Sequence, residues 1–544
     1  MSKPSKSTRA IELGQDAVAE LWHDPEGEPF ADVRRGTVRE TLPIASRAFR
    51  RWLAGIFYRA EGQALGGQSA TDAVDVLVAQ AVHMGIEREV HVRLASRDGA
   101  IYLDLGDEWW GAIQIDADGW RLDVEPPVRF RRPRGMRALP VPVPAAGEGW
   151  SALRELLHVE DEDTWVLIVA WLIGTLHPSG PYPVLALAGE QGTAKSTTGR
   201  ILRSLVDPSE AMLRSPPRED RDLVVAARNS HIVAFDNLSS IREWLSDALC
   251  RIATGGGYSA RQLYTDGEEV IYSDRRPILL TSIEDVATRG DLADRAIAVH
   301  LALMPERVRR TETEIEAVLA RIRAQVLGDL LDAASTALRR RQEIQLDTLP
   351  RMADFAEWIV AAEPALPWND GAFLRAYGTA REDMVRVSVE ADLVATAIIA
   401  LIEENNEFSG SASDLLDALD RRRNGVPTPK DWPTTPQALG GRLTRAAPLL
   451  RSSGCEVEKG EGRDRRTIYI RWHRNADPAH GAHPCARVRT SEGIASRENP
   501  HGSADVRDVR DVRDDCVPVP VDDEDAYYED LVDEAMAKTT HGSA

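Results

Sequence analysis

Lysine is almost missing from this 544-residue chain. Only six of its 66 basic residues are lysine: Lys3, Lys6, Lys195, Lys430, Lys459 and Lys538. Between Lys6 and Lys430 the one lysine is Lys195. Cysteine is equally scarce. Cys250, Cys455, Cys485 and Cys516 are scattered and form no CxxC pair, which argues against a disulfide scaffold and fits a reducing compartment. Long apolar runs are missing too. The longest, Val166 to Leu176, is too short to cross a bilayer and reads as a buried helix. No basic N-terminal stretch leads into an apolar one, so no signal peptide is expected. These absences together predict a soluble, cytoplasmic chain with no membrane partner.

The charge is unevenly spread. The net value is −21, yet residues 501–544 hold 13 acids against 4 bases. Arg129 to Arg137 holds five arginines and no acid, and Gly441 to Arg474 holds 9 bases against 4 acids. Local charge, not the total, decides whether a surface meets nucleic acid.

The chain divides into five stretches by pattern. Residues 1–145 predict a helix over Ile44–Tyr58 and short strands between Glu89 and Asp123, parted by Asp-Gly and Gly-Asp turn signals. A basic, Pro-rich linker or arm follows. Residues 150–310 alternate apolar strands (184–188, 231–235 and 278–281) with helices, the signature of a parallel α/β sheet. Residues 311–390 read as a helical lid or connector. Residues 391–473 read as helices followed by a basic hairpin, a winged-helix-like pattern, with Ser411 or Ser413 capping one helix. The remainder, 474–544, reads as a disordered acidic tail. His473, His480, His483 and Cys485 fit no zinc-site spacing.

The lone lysine sits in "PVLALAGEQGTAKSTTGRIL", an apolar strand feeding a Gly-bearing loop and then a helix. Backbone N–H groups of such a loop and helix start attract phosphate. The stretch Gly189, Glu190, Gln191, Gly192, Thr193, Ala194, Lys195, Ser196 and Thr197 is the candidate ATP-binding loop. A compact ammonium at Lys195 reaches the β- and γ-phosphates, and Ser196 offers its hydroxyl to Mg²⁺. Ala194 departs from the usual glycine, which is harmless at negative φ and costly at positive φ. Downstream, "HIVAFDNLSS" ends a buried strand in Asp236, the carboxylate expected to hold Mg²⁺ from the sheet's C-terminal edge. The next position, where a second acid polarises water, is Asn237; an amide orients water but takes no proton. Glu243 and Asp247 are the candidate substitutes.

The segment "LCRIATGGGYSARQLYTDGEEVIYSDRRPILLTS" resembles the superfamily-3 helicases, and more closely the helicase part of phage and poxvirus primase–helicase proteins. Leu249, Thr254, Gly255, Gly256, Ala260, Arg261, Leu263 and Tyr264 stand at the matching positions, and the resemblance spans roughly residues 183–301. It implies an AAA+ fold: a P-loop NTPase core with a parallel sheet between helices. It places Thr281 and Ser282 at sensor 1, where the family has Thr-Asn. It makes Arg289 or Arg295 an arginine finger serving the neighbouring subunit. It implies a homo-oligomeric, hexameric ring acting on DNA. In this chain the pore hairpin has an acidic tip (Asp266, Glu268, Glu269), so Arg261, Arg275 and Arg276 are the candidate phosphate contacts. No primase signature occurs in residues 1–145, so a primase or polymerase would be a separate chain. Trp109, Trp110 and Trp120 read as packing residues rather than base-stacking ones.

The reading that follows is an ATP-dependent DNA helicase or translocase serving a phage or mobile element. Asn237 and the acidic tip keep a second open, a nucleotide-binding DNA-anchoring initiator or regulator with little hydrolysis. A third, a small-molecule P-loop kinase, explains the loop but not the "TGGG" segment.

Overall fold

The computed structural model describes residues 4–261, 269–272, 275–283, 290–423, 432–460, 467–472 and 486–488. Arg289, Asp266, Glu268, the four His and Cys residues from 473 to 485 and the acidic tail lie outside them. The architecture is mixed α/β around a parallel sheet.

The chain begins with α1 (Lys6–Ala17), β1 (Val18–His23), β2 (Pro29–Arg35), β3 (Val38–Pro43), α2 (Arg47–Glu61), α3 (Gly67–His83) and β4 (Ile86–Glu87). The strands order as β3-β2-β1-β4. Ser46 caps α2 by accepting from Phe49 N, and Phe49, Leu53 and Phe57, spaced one turn apart, bury one stripe against the sheet. The sequence pattern does not predict β1 to β3, because they bury polar groups. Asp32 is fully buried, accepting from Trp22 Nε1 at 3.1 Å and Thr41 Oγ1 at 2.9 Å. That interrupts the apolar alternation by which a strand is recognised.

Next come β5 (Leu94–Arg97), β6 (Ala100–Asp104), β7 (Ala112–Asp116) and β8 (Gly119–Asp123), an antiparallel meander. Its first turn, Asp98-Gly99, has φ of 51° and 82°, the left-handed pair that matches strand twist. Ile101, Leu103, Ile113 and Ile115 join the same hydrophobic core as the parallel sheet. Ala95, Tyr102 and Ala112 on the opposite face pack on Val128 and Phe130.

The arginine-rich stretch after it is a clamp. Arg129 pairs with Asp32 at 2.5 Å, Arg132 with Asp104 at 2.6 Å and Arg137 with Glu210 at 3.0 Å. Arg131 donates to Asn229 Oδ1 at 3.2 Å. The sequence expectation of a linker or arm is corrected on this point. Arg134 is the exposed arginine of this run without an ion-pair partner among the described residues. The others weld the N-terminal elements to the core.

The core runs through α4 (Glu148–Leu157), α5 (Glu162–Gly174), β9 (Val184–Ala188), α6 (Lys195–Val206), α7 (Asp220–Arg228), β10 (Val233–Leu238), α8 (Glu243–Thr254), β11 (Tyr258–Arg261), β12 (Glu269–Tyr272), β13 (Ile278–Ser282), α9 (Gly290–Ala293) and β14 (Ala296–His300). The parallel sheet orders as β10-β13-β9-β14. Strand alternation splits its side chains between two cores. Leu185, Leu187, Leu279 and Ile297 meet α5 and α6, while Val184, Ala186, Phe235 and Leu280 meet α7 and α8. Asp161 caps α5, whose residues Trp165 to Gly174 are all buried. A helix apolar on every side belongs inside the protein, and no described helix is long and apolar enough to cross a membrane.

The chain continues through α10 (Glu312–Arg340), β15 (Ile344–Leu346), α11 (Ala353–Ala362) and α12 (Ala372–Ala391). It ends in a small unit of α13 (Leu393–Asn405), β16 (Glu407–Ser411), α14 (Ala412–Arg423), α15 (Pro436–Ser452), β17 (Cys455–Lys459) and β18 (Thr467–Trp472), with sheet order β16-β18-β17. Ser411, rather than Ser413, caps α14 through a reciprocal bond with Asp414. Within the stretch expected to be disordered, β19 (Ala486–Val488) pairs antiparallel with β15.

Two histidines sit where α5 meets the sheet. Burial holds His177 and His231 at about 4, from an ordinary 6.5. His177 Nδ1 accepts from Ser179 N at 3.2 Å, and His231 Nε2 faces the Thr175 carbonyl at 2.8 Å. Both remain neutral in the fold, whereas the unfolded chain takes up protons near pH 6.5. Their contribution is therefore present above that pH and is lost as pH falls toward 4. At pH 5 each costs about 2 kcal/mol. Urea midpoints at pH 7.5 and pH 5 are expected to show the drop, and His231→Gln, which cannot titrate, to reduce it. An equal drop in that variant contradicts the assignment.

Candidate functional site

Strand β9 is wholly buried and ends at Ala188. The loop 189–194 then turns over the sheet edge into α6. Gly189 has φ of 148°, and a Cβ there would stand 2.8 Å from the Leu301 carbonyl oxygen, so only glycine fits. Gly192 has φ of 94°. Ala194 precedes α6 with φ 57° and ψ 24°, in the left-handed region, and makes no side-chain cap. The first N–H groups of α6 are therefore left for another acceptor. Glu190 and Gln191 are exposed, Thr193 is buried, and Thr197 is half-buried.

Lys195 folds back on the loop. Its Nζ donates to the Gly189 and Glu190 carbonyls, each at 2.7 Å, and to Thr193 Oγ1 at 3.3 Å. Burial lowers its pKa, and the Asp236 charge works against that shift. Ser196 Oγ donates to Asp236 Oδ1 at 2.7 Å. Strand β13 lies between β9 and β10 and delivers Thr281, whose Oγ1 donates to the same oxygen at 2.5 Å. That hydroxyl also accepts from Asn237 N at 2.9 Å. Lys195, Ser196, Asp236, Asn237 and Thr281 thus gather at one sheet edge.

Asn237 has a backbone role. It is exposed, with φ of 56°, inside the register shift between Phe235 and Leu238. Asparagine is among the few side chains that enter the left-handed region readily. Glu243 opens α8 exposed, and Asp247 is half-buried one turn on. The Ser282 hydroxyl is buried without a hydrogen-bond partner among the described residues, so of the two sensor-1 candidates Thr281 reaches the carboxylate. Gly255, with φ of 87°, is the C-cap of α8, a local reason for glycine in "TGGG".

Other candidates are not brought together with these. Arg295 precedes β14, whose first residue pairs with Val184, whereas the loop leaves after Ala188. A five-residue strand separates them, about 16 Å. Its Nη1 donates to the Asp291 carbonyl at 2.6 Å. Arg275 donates to the Ser179 carbonyl at 2.8 Å and Arg276 to that of Ala227 at 3.2 Å. Arg261 is described by its backbone in β11.

Alongside the loop opens a cleft of about 640 Å³, lined by the end of α4, by Ala194, Thr197 and Ile201, and by the segment from Met304 to Arg310. Sequence reading missed its far wall, since that wall becomes a neighbour of the loop only through β14. Among the described residues no group of three or more His, Cys, Asp and Glu side chains converges. A metal at Ser196 and Asp236 would therefore complete its shell with ligand oxygens and water, as Mg²⁺ does.

A left-handed alanine costs roughly 1 kcal/mol relative to glycine. Ala194→Gly is expected to raise the melting temperature by about 1 °C, read by calorimetry. A lower midpoint contradicts the left-handed conformation.

Residues 151–385 match the family model of the actinomycete integrative conjugative element replication protein, and residues 394–485 match that of the AICE RepA C-terminal domain. No curated protein matches the chain. Among solved structures, the A-form apo C-terminal region of NrS-1 matches with 12% identity and a TM-score of 0.39, over 87% of this chain and 100% of that one. A JCV helicase matches with 13% identity and a TM-score of 0.25, over 43% of this chain and 65% of that one. The two family matches, consecutive on one chain, make this protein similar over those residues to a replication protein of a mobile genetic element.

Proposed function

We propose that the chain is a P-loop ATPase of the superfamily-3, AAA+ class that acts on DNA as a helicase or translocase during replication of its element. The observation that carries this is the convergence of the Lys195 loop, the Ser196 hydroxyl and the Asp236 carboxylate at the C-terminal edge of a parallel sheet. Loop N–H groups from Gly192 to Thr197 would cradle the phosphates of ATP, and Lys195 would release its loop carbonyls to neutralise them. Ser196 and Asp236 would hold Mg²⁺, which supplies charge neutralisation at the β- and γ-oxygens. Thr281 orients Asp236. Asn237 would position water, with proton acceptance left to Glu243 or Asp247. Arg289 or Arg295 would supply the finger to a neighbouring subunit of a hexameric ring, Arg295 by leaving the Asp291 carbonyl as Lys195 leaves its loop carbonyls.

The C-terminal unit supports DNA contact. Its order of helix, strand, two helices and two strands, with sheet order β16-β18-β17, supports the winged-helix reading. Helix α15 exposes Thr444, Arg445 and Arg451, a face suited to phosphate. Asn237 favours a second reading on its own observation. Its left-handed backbone accounts for it without catalysis, which suits an initiator that binds nucleotide and hydrolyses it slowly.

Lys195→Ala is expected to abolish ATP hydrolysis; turnover at the wild-type rate sinks the ATPase reading. Asn237→Asp, which tolerates the same backbone, raises turnover if a missing carboxylate limits it. Strand displacement stimulated by single-stranded DNA separates motor from initiator. Replacing Arg445 and Arg451 by Ala should weaken DNA binding and lower the salt slope by about one per arginine. An unchanged slope excludes α15 from the interface.

A further inference from the structure

We propose that Arg309 binds the phosphate chain of the nucleotide in cis, and that the cleft beside it takes the nucleoside. This rests on the nucleotide-site reading above and adds a residue that neither the motifs nor the resemblance assigns.

The argument starts from how the segment after β14 is held. Leu301 N donates to the Ala188 carbonyl at 2.9 Å, tying the exit of β14 to the last residue of β9. A short turn follows, closed by Val308 N to Pro305 O at 3.1 Å and Arg309 N to Glu306 O at 3.3 Å. Two residues on, Thr311 begins α10 in a capping box with Glu314. Arg309 is therefore carried on a turn fixed at both ends, not on a free loop.

Its position is specific. Arg309 Nη2 stands 3.7 Å from where a Cβ on Gly192 would be, against the part of the loop whose N–H groups face phosphate. Arg310, the next residue, reaches Glu155 at 3.5 Å, and Arg200 on α6 is paired with Glu312 at 2.5 Å. Arg307 also lines the cleft, but it is Arg309 that lies against Gly192. Arg309 has no ion-pair partner among the described residues and is exposed. A guanidinium held beside a Gly-bearing anion loop, with no carboxylate to satisfy it, suits a bidentate phosphate contact.

The cleft supplies the other half. Leu157, Ile201, Met304 and Val308 give it apolar walls, and Thr197 and His158 place polar groups among them. A cleft of about 640 Å³ is of the size that encloses a small ligand. Ala194 and Thr197 line it, at the end of the loop where the phosphate chain would finish its passage. A base and sugar entering it would lie between α6 and the turn bearing Arg309.

Calorimetric titration of the full chain with Mg-ATP and with inorganic tripolyphosphate tests both parts. Arg309→Ala should weaken both ligands by about tenfold, with Arg309→Lys restoring part of the loss. Val308→Trp, filling the cleft, should remove the advantage of ATP over tripolyphosphate while tripolyphosphate binds as in wild type. Met304→Trp fills it from another point on the same wall and serves if the first variant melts early. Wild-type affinities in Arg309→Ala overturn the arginine's role, and an intact ATP advantage in the filled variants overturns the cleft's. If the wild-type chain binds neither ligand, the nucleotide-site reading itself fails, an outcome distinct from both.

Discussion

The Asp236 carboxylate, through one oxygen, holds three strands in register at the place where chemistry would occur. Ser196 reaches it from the helix after β9, Thr281 reaches it from β13, and Asp236 itself lies in the second half of β10. Two hydroxyl donors on one carboxylate oxygen are charge-assisted bonds, roughly twice as strong as neutral ones. Thr281 then passes the constraint on by accepting from Asn237 N. One carboxylate oxygen thereby links α6, β10 and β13 at the sheet edge.

Much of the remaining structure supports that edge. The buried α5 and the apolar strands form one continuous core with the meander and with α10 and α11. Arg93, fully buried, links the meander to the end of α6 by donating to the Asp104 and Arg137 carbonyls at 2.7 Å and pairing with Asp207 at 3.4 Å. Asp207 is held below the usual carboxylate range; burial would push it up, but Arg203 and Arg93 outweigh that. The arginines of residues 129–137 continue the same bracing. What the composition presents as a basic arm is largely consumed within the fold.

How much was legible depended on whether the signal was local. Lys195, the glycines and Asp236 are legible because each sits at the end of a buried apolar strand, a pattern visible in a ten-residue window. The meander is legible through its Asp-Gly turns. Strands β1 to β3 were not, since Asp32, Glu40 and Thr41 are buried polar residues satisfied by Arg129, Arg35 and one another. Strand β14 was missed because five residues ending in His300 carry too little pattern. Missing it hid Arg309, which approaches the loop only through that strand. Ser282 and Thr281 were indistinguishable in sequence; alternation on a twisted sheet sends one hydroxyl to Asp236 and the other into the interior.

The sequence by itself determined the strand–loop–helix, the acid-ended strand and the helix-then-hairpin order of the C-terminal unit, because spacing and residue type encode each of these locally. Only the tertiary structure decided which hydroxyl holds the carboxylate, that Ala194 and Asn237 are left-handed, that Arg295 lies at the far end of the sheet, and that Arg309 stands beside Gly192. Those facts depend on strand order and chain reversal across many residues. The insertion of β13 between β9 and β10, and the return of β14 on the other side, cannot be read from any one segment.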